Sequence, residues 1–307
     1  MTSKTPHSMP RSESPPSFTA FGLRAEAEPL PAGLHVVATP IGNLADISLR
    51  ALGTLAAADA VIAEDTRVTK ILLAHYGIAT PLIAYHEHNA ELVRPGLIAR
   101  LVEGAALALV SDAGTPLISD PGYRLVTEAV SRGVPVTAVP GASAVLSALV
   151  VAGLPTDRFF FEGFLPVKSA ARRQRIAELA AIPGTLVFFE SPRRVAETLA
   201  DLAAVLGPRE AALARELTKV FETVRRGTLP ELAQVYADEA LKGEIVLLVG
   251  PPSPEIKSID AAELDARIGK ALETLSVKEA ATVVSAETGQ PRRKIYARAV
   301  ELAARAR

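Results

Sequence analysis

At 307 residues the chain is long enough for two domains, each with its own core. Hydrophobic residues at 49% and charged residues at 22% exclude a disordered chain, and the absence of cysteine excludes disulfides, zinc–thiolate sites and thiol nucleophiles. With a formal net charge of −1, any polyanionic partner must be held by a local basic patch.

Residues 1–33 are rich in Pro, Ser and Glu, contain no apolar run, and read as a disordered leader without the h-region of a secretory signal. From residue 34 short apolar runs alternate with amphipathic stretches. Strands are predicted over 34–39, 60–63, 82–85, 107–110 and 134–138, because each run is brief and apolar. Between them, helical spacing runs through Ile47, Leu49, Leu52 and Leu55, then over 66–76, 90–103 and 122–131; another helix is opened by Gly141-Ala142-Ser143. This alternation predicts an N-terminal α/β domain, 34–152, built on a parallel sheet covered on both faces.

A linker at 153–157 leads into a second α/β domain, 153–251, with strands at 158–161, 185–189, 211–214, 220–225 and 245–249 and helices at 172–180 and 194–205. Two of these strands follow each other across a short turn, which requires a mixed sheet. Pro251-Pro252-Ser253-Pro254 marks a further linker, 252–259. The remaining residues, 260–307, read as a small helical tail. Ser276-Val277-Lys278-Glu279 fits a capping box, Thr288-Gly289-Gln290-Pro291 a turn, and Arg292-Arg293-Lys294 opens a basic helix. Helix, Gly-containing turn and basic helix are the outline of a helix-turn-helix module. The stretch 142–152 is too short to span a bilayer and is stopped by Gly153-Leu154-Pro155, so the expectation is a cytoplasmic protein without a membrane partner.

Two strand-following loops carry the chemistry: Thr39-Pro40-Ile41-Gly42-Asn43 and Ser111-Asp112-Ala113-Gly114-Thr115-Pro116. In an open parallel sheet, ligands bind beyond the carboxyl ends of the strands. Gly42 and Gly114 permit close approach of the backbone, and Asp112 offers an acceptor for an amine or a ribose hydroxyl. Each loop alone is equally well explained as a tight turn. With a third turn, Pro140-Gly141-Ala142-Ser143, a shared pocket is the better reading. Neither G-x-G-x-x-G nor G-x-x-x-x-G-K-[ST] is present, so the loops are poorly equipped for phosphates, and S-adenosylmethionine is the candidate cofactor.

The series V-V-A-T-P-I-G-N-L-x-D-I, A-E-D-T-R, Y-H-E-H-N, L-V-S-D-A-G-T-P-x-I-S-D-P-G, V-P-G-A-S-A and F-F-E-S-P-R-R resembles the tetrapyrrole-methylase superfamily, and within it the branch that 2′-O-methylates a cytidine of 16S rRNA near the decoding centre. The resemblance runs from about residue 34 to 251, and the tail is similar to the helix-turn-helix extension of that branch. It implies two α/β domains with S-adenosylmethionine in the cleft between them, a homodimer, and the small ribosomal subunit as partner. It also implies cofactor contacts from Pro40, Gly42, Asn43, Asp112, Ala113, Gly114, Pro116, Ile118, Ser143 and Ala144, with Glu190 closing the site. Tetrapyrrole-specific relatives carry G-x-G-x-[GD] in the first loop, where this chain has Pro40-Ile41-Gly42-Asn43; the departure favours the rRNA branch.

A ribose 2′-hydroxyl is a weak nucleophile that needs a base or a field favouring the alkoxide. Candidates are Asp65, His86, His88, Glu190 and Glu216. Carboxylates paired with arginine are preferred: Asp65 with Arg67 in Glu64-Asp65-Thr66-Arg67, and Glu190 with Arg193 in Glu190-Ser191-Pro192-Arg193-Arg194. For any single one of these residues, an ion pair or a helix cap is the better explanation. His86-Glu87-His88 has metal-ligand character, but no third ligand stands at suitable spacing, so no metal is expected, and His86, His88 and Asn89 read as RNA contacts or a helix cap. Phosphate contacts are expected from Lys168, Arg172 and Arg175, from Arg193-Arg194, and from Arg292, Arg293, Lys294 and Arg298 in the tail. A small-molecule tetrapyrrole methylase and a non-catalytic RNA-binding assembly factor are the competing readings.

Overall fold

The computed structural model describes residues 15–119, 122–239, 241–252, 261–288 and 290–305. Over 15–33 it corrects the reading of a disordered leader. Within that stretch β1 (Ser17–Ala20) and β2 (Leu23–Glu26) pair as an antiparallel hairpin. Phe18 is buried with Leu52, Leu55 and Leu73, and the Thr19 amide donates to the Tyr76 carbonyl. Phe21 and Gly22, with φ of 53° and 75°, make the turn. Asn-Gly or Asp-Gly ordinarily announces so tight a hairpin, and a Phe in the first place conceals it. Residues 1–14 lie outside the described residues.

Unbroken apolar runs produce the central strands of the first sheet, buried on both faces, while its two edge strands are more open. Its strands are β3 (Gly33–Val37), β4 (Ala60–Ala63), β5 (Leu82–Ala84), β6 (Ala106–Val110) and β7 (Val136–Val139), all parallel in the order β5-β4-β6-β3-β7. Helices α1 (Leu49–Ala57) and α2 (Thr66–His75) bury Leu52, Leu55 and Leu72 on one face. On the other, α3 (Ala90–Val102) and α4 (Tyr123–Ser131) bury Leu97, Leu101 and Leu125. Because β3 lies between β6 and β7 and all three run the same way, the loops that follow them end side by side.

The next helix, α5 (Ala144–Ala152), lies across the second sheet. That sheet contains β8 (Phe159–Phe164), β9 (Thr185–Glu190), β10 (Glu210–Arg215), β11 (Thr223–Thr228) and β12 (Ile245–Val249), in the order β11-β10-β12-β9-β8. Only the β8–β9 pair is parallel, so the sheet is mixed, as the short turn between two of its strands requires. Helices α6 (Ser169–Leu179), α7 (Val195–Leu206) and α8 (Leu229–Tyr236) cover Leu186, Phe188, Leu213 and Leu247. Val145, Ala148, Leu149 and Ala152 of α5 cover Val187, Ala212, Ala214 and Leu248 on the opposite face. The Arg226 guanidinium of β11 donates to the carbonyls of Val151 and Ala152, tying off the end of α5. Helix α8 was not foreseen, although Thr228 and Glu231 are a capping box, with the Thr228 amide 2.8 Å from Glu231 Oε2.

The tail forms α9 (Ala261–Leu272), α10 (Val277–Thr288) and α11 (Arg292–Arg305) around Ile268, Ala281, Val284, Ile295 and Ala299. Ser276 and Glu279 cap α10 reciprocally: the Ser276 amide lies 3.0 Å from Glu279 Oε2, and the Glu279 amide 3.4 Å from Ser276 Oγ. Residues 253–259 of the linker, Asp260 at the start of the tail and Gly289 of the turn lie outside the described residues. Among the described residues no helix is long and apolar enough to cross a membrane.

Candidate active site

The two loops singled out in the sequence are bonded to each other. The Thr39 amide donates to the Gly114 carbonyl at 2.8 Å, and the Gly114 amide returns to the Thr39 carbonyl at 3.0 Å. Thr39 Oγ1 adds a hydrogen bond to the Ser111 carbonyl at 3.3 Å. Thr115 Oγ1 reaches the Ala142 carbonyl at 3.3 Å, so the third turn joins the same platform. Asp112 Oδ1 accepts from the Asp65 amide at 2.9 Å and brings in the start of α2. The adjacency of β6, β3 and β7 makes these bonds possible between residues far apart in the chain.

A cleft of about 250 Å³ opens beside this platform. Thr39, Pro40, Ile41 and Gly42 form one wall, Ser111, Asp112 and Ala113 a second, and Val68, Ile71 and Leu72 of α2 a third. Lys219 and Glu244 of the second half complete it. Of the described lining residues only Lys219 is a cation, and its Nζ already donates to Glu216 Oε1 at 2.9 Å and Glu244 Oε2 at 3.0 Å. Burial pushes the Lys219 ammonium toward lower pKa, but these two carboxylates outweigh it and raise the pKa above the usual lysine value. An apolar wall, an acidic rim and a cation already paired do not suit a chain of phosphates. They fit a cofactor without phosphates, and S-adenosylmethionine is such a molecule.

Not every expected cofactor residue lies on the cleft. Pro40, Gly42, Asp112 and Ala113 line it. Gly114, at φ 75°, is buried in the bridge between loops, and Pro116 is buried behind it. Asn43 caps the 3-10 turn at Leu44–Asp46, and Ser143 caps α5 ahead of Ala144. Ile118 is exposed. The space that a side chain at Gly42 would fill is taken by Lys219, whose Cγ would stand 2.5 Å from a Cβ there. Gly42 is therefore needed for a protein side chain as much as for any ligand. Lys219, Glu244 and the α2 residues were missed because they are remote in sequence from both glycine loops.

The geometry separates the catalytic candidates. Asp65 caps α2 and holds Arg67 through the backbone amide at 2.8 Å and the guanidinium at 2.6 Å. Those Arg67 hydrogen bonds lower the Asp65 pKa to about 2, which makes the group a poor proton acceptor at neutral pH. Glu190 is buried: Oε2 accepts from Thr198 Oγ1 at 2.6 Å and Oε1 from the Ser191 amide at 2.7 Å. Held by α7 and its own turn, Glu190 is not among the residues that line the cleft, so the structure does not bring it to Pro40 and Asp112 as the sequence reading expected. Arg193 is exposed, whereas Arg194 donates to the Leu165 carbonyl at 2.8 Å. Glu216 is held by Lys219 and by the Glu244 amide at 3.0 Å.

Residues 33–233 match the family model of tetrapyrrole (corrin/porphyrin) methylases. The chain belongs to the tetrapyrrole methylase family. Residues 258–303 of this methylase also match the RsmI C-terminal HTH domain. A protein of Mesorhizobium japonicum named ribosomal RNA small subunit methyltransferase I is 52% identical over 278 residues, which is 90% of this chain and 94% of that protein. One of the same name from Xylella fastidiosa is 51% identical, covering 87% of this chain and 98% of its own. Among solved structures, diphthine synthase aligns with a TM-score of 0.57 at 18% identity, over 71% of this chain and 89% of that one. A cobalt precorrin-4 methyltransferase aligns at 0.54 and 19%, over 71% and 94%. At such identities the likeness to these structures shows the fold alone.

The basic residues of this methylase divide into structural and exposed sets. Arg172 corrects the expectation of a phosphate contact. It is buried, with Nε 2.7 Å from Asp201 Oδ2 and Nη1 3.1 Å from the Val167 carbonyl. Helical spacing places Arg172 on the inner side of α6, where Asp201 of α7 neutralises it. Arg175 pairs with Glu162 and Glu178, and Arg298 with Asp265 and Glu301, so Arg298 joins α11 to α9. Lys168, Arg292, Arg293 and Lys294 are exposed. Asn89 closes the turn before α3, accepting from the His86 amide at 2.8 Å and donating to the Ala84 carbonyl at 3.0 Å. His86 is half-buried and His88 exposed, their rings 6.0 Å apart.

Proposed function

We propose that this methylase transfers a methyl group from S-adenosylmethionine to the 2′-hydroxyl of a cytidine ribose in 16S rRNA near the decoding centre. The observation that carries the reading is 52% identity, over 90% of the chain, to a protein named ribosomal RNA small subunit methyltransferase I. A tail matching the HTH extension supports it, since a small-molecule methylase has no use for a basic helical module. Bound S-adenosylmethionine supplies an electrophilic methyl group on a sulfonium. Pro40, Gly42, Asp112 and Ala113 hold the cofactor as lining residues of the cleft, while Gly114, Pro116, Asn43 and Ser143 shape the loops around it. Positioning supplies much of the acceleration for an in-line displacement. Lys168, Arg292, Arg293 and Lys294 supply phosphate contacts, with His86 and His88 at the rim of the β5–α3 turn. The particle bound is the small ribosomal subunit, the protein acts as a homodimer, and its compartment is the cytoplasm.

Isolated small subunits lacking the modification, incubated with the protein and methyl-labelled cofactor, should acquire one label that maps to a cytidine 2′-oxygen of 16S rRNA. Label on a precorrin-type substrate and none on the particle would transfer the reading to a small-molecule methylase. Absence of any cofactor binding by calorimetry would leave an RNA-binding assembly factor.

A further inference from the structure

We propose that Lys219 and Glu244, side by side at the mouth of the cleft, form the donor–acceptor pair that binds and activates the acceptor hydroxyl; this rests on the ribose methylation proposed above. Lys219 follows β10 and Glu244 precedes β12, and these strands pair antiparallel, so the turn and the strand start converge. The Glu216 amide donates to the Glu244 carbonyl at 2.9 Å, and Lys219 Nζ sits 2.9 Å from Glu216 Oε1 and 3.0 Å from Glu244 Oε2. The Lys219 stem lies over Gly42, which fastens this turn of the second half to the first strand-following loop.

Three features distinguish the cluster from an ordinary surface ion pair. Lys219 and Glu244 line the same cleft as Pro40 and Asp112. Glu216 and Thr218 adopt left-handed φ of 53° and 67°, a conformation that non-glycine residues keep only where their surroundings impose it, and one that gathers at functional sites. Thr218 Oγ1, directed at Gly42, is buried without a hydrogen-bond partner among the described residues.

The chemistry of the cluster selects the ligand. A phosphate or carboxylate approaching Lys219 would meet Glu216 and Glu244 beside it. A hydroxyl is complementary to both, because its oxygen accepts from the ammonium while its proton points to a carboxylate. Glu216 is mostly covered and already accepts twice, which leaves it to hold Lys219. Glu244 is 70% exposed and receives the proton, which it can release to water. The 2′-oxygen, its developing charge held by Lys219, forms the bond to the methyl carbon as the carbon–sulfur bond breaks and that electron pair remains on sulfur.

Lys219→Met keeps the methylene stem over Gly42 and removes the charge. On small subunits its kcat should fall about 100-fold, the loss typical of removing one preorganised donor to a developing oxyanion. KM for the particle, calorimetric affinity for S-adenosylmethionine and the thermal midpoint should stay near wild-type values. Lys219→Arg, which restores a donor, should recover much of the loss, and Glu244→Gln should reproduce it. Wild-type kcat in Lys219→Met would overturn the proposal. So would a defect explained by weaker cofactor affinity, which makes Lys219 a cofactor ligand, or by KM alone, which makes it a phosphate anchor. Wild-type protein inactive on these particles would sink the reaction proposed above and this inference with it.

Discussion

Arg172 and Asp201 place opposite charges in the interior of the second half, and neither is tolerable there alone. Asp201 also accepts from Arg173 and Ser169. Burial raises its pKa, yet the hydrogen bonds from Arg173, Arg172 and Ser169 outweigh that and hold it below the usual carboxylate value. Arg172→Ala should cost about 3 kcal/mol in chemical unfolding, because it leaves a buried carboxylate short of its partner. A cost below about 1 kcal/mol would mean that Arg173 and Ser169 suffice. Asp65 yields a test in pH. Its folded pKa of about 2 is depressed from 3.8, so its contribution is complete above about pH 4 and disappears as the pH falls through 2. Asp65→Asn should therefore lose part of the acid dependence of unfolding between those values; an unchanged acid limb would mean that Arg67 does not hold it. At Gly114 the left-handed φ and a Cβ position 3.2 Å from Ile41 leave no room for a branched side chain. We expect Gly114→Val to weaken S-adenosylmethionine binding at least ~10-fold by calorimetry, through roughly 1–3 kcal/mol of backbone strain in the bridge between loops. Near-normal affinity would place the cofactor elsewhere.

Among elements, strands were legible and two local structures were not. The runs behind β3, β4, β6 and β12 are brief, apolar and buried throughout, so pattern and outcome coincide. The β1–β2 hairpin escaped because its composition is polar and its turn begins with Phe rather than Asn or Asp. Phe18 is its one buried side chain among the described residues, with Ala20 packed against the same core. Phe18→Ala should cost about 3 kcal/mol, the usual range for a buried aromatic, and a thermal midpoint unaffected by the change would return the hairpin to the status of a leader. Helix α8 carried its start signal in Thr228 and Glu231, but it is only eight residues long, and no element is predicted for the stretch between the strands at 220–225 and 245–249. Arg172 illustrates a third limit. Periodicity puts Lys168, Arg172 and Arg175 on related sides of one helix, but only the position of α7 decides which of those sides is interior.

At the level of the molecule, the tail has a core of its own, centred on Ile268, Val284 and Ile295. Removing residues 260–307 should accordingly weaken binding to small subunits while leaving cofactor affinity nearly unchanged. Equal loss of both would make the tail a structural part of the methylase body. Charge reversal at Arg292, Arg293 and Lys294 should flatten the salt dependence of RNA binding by roughly 0.7–0.9 for each phosphate no longer neutralised. The chain's own residues determined the alternation of strands and helices, the two glycine loops, the lack of phosphate-binding motifs and the motif series of the family, because each is local and needs no knowledge of neighbours. Tertiary structure decided which loops meet. The order β6-β3-β7 zips Thr39 to Gly114, and the β10–β12 pairing brings Lys219 and Glu244 to Gly42. Strand order is set by which apolar faces bury one another, and that competition leaves no mark at the residues whose positions it settles.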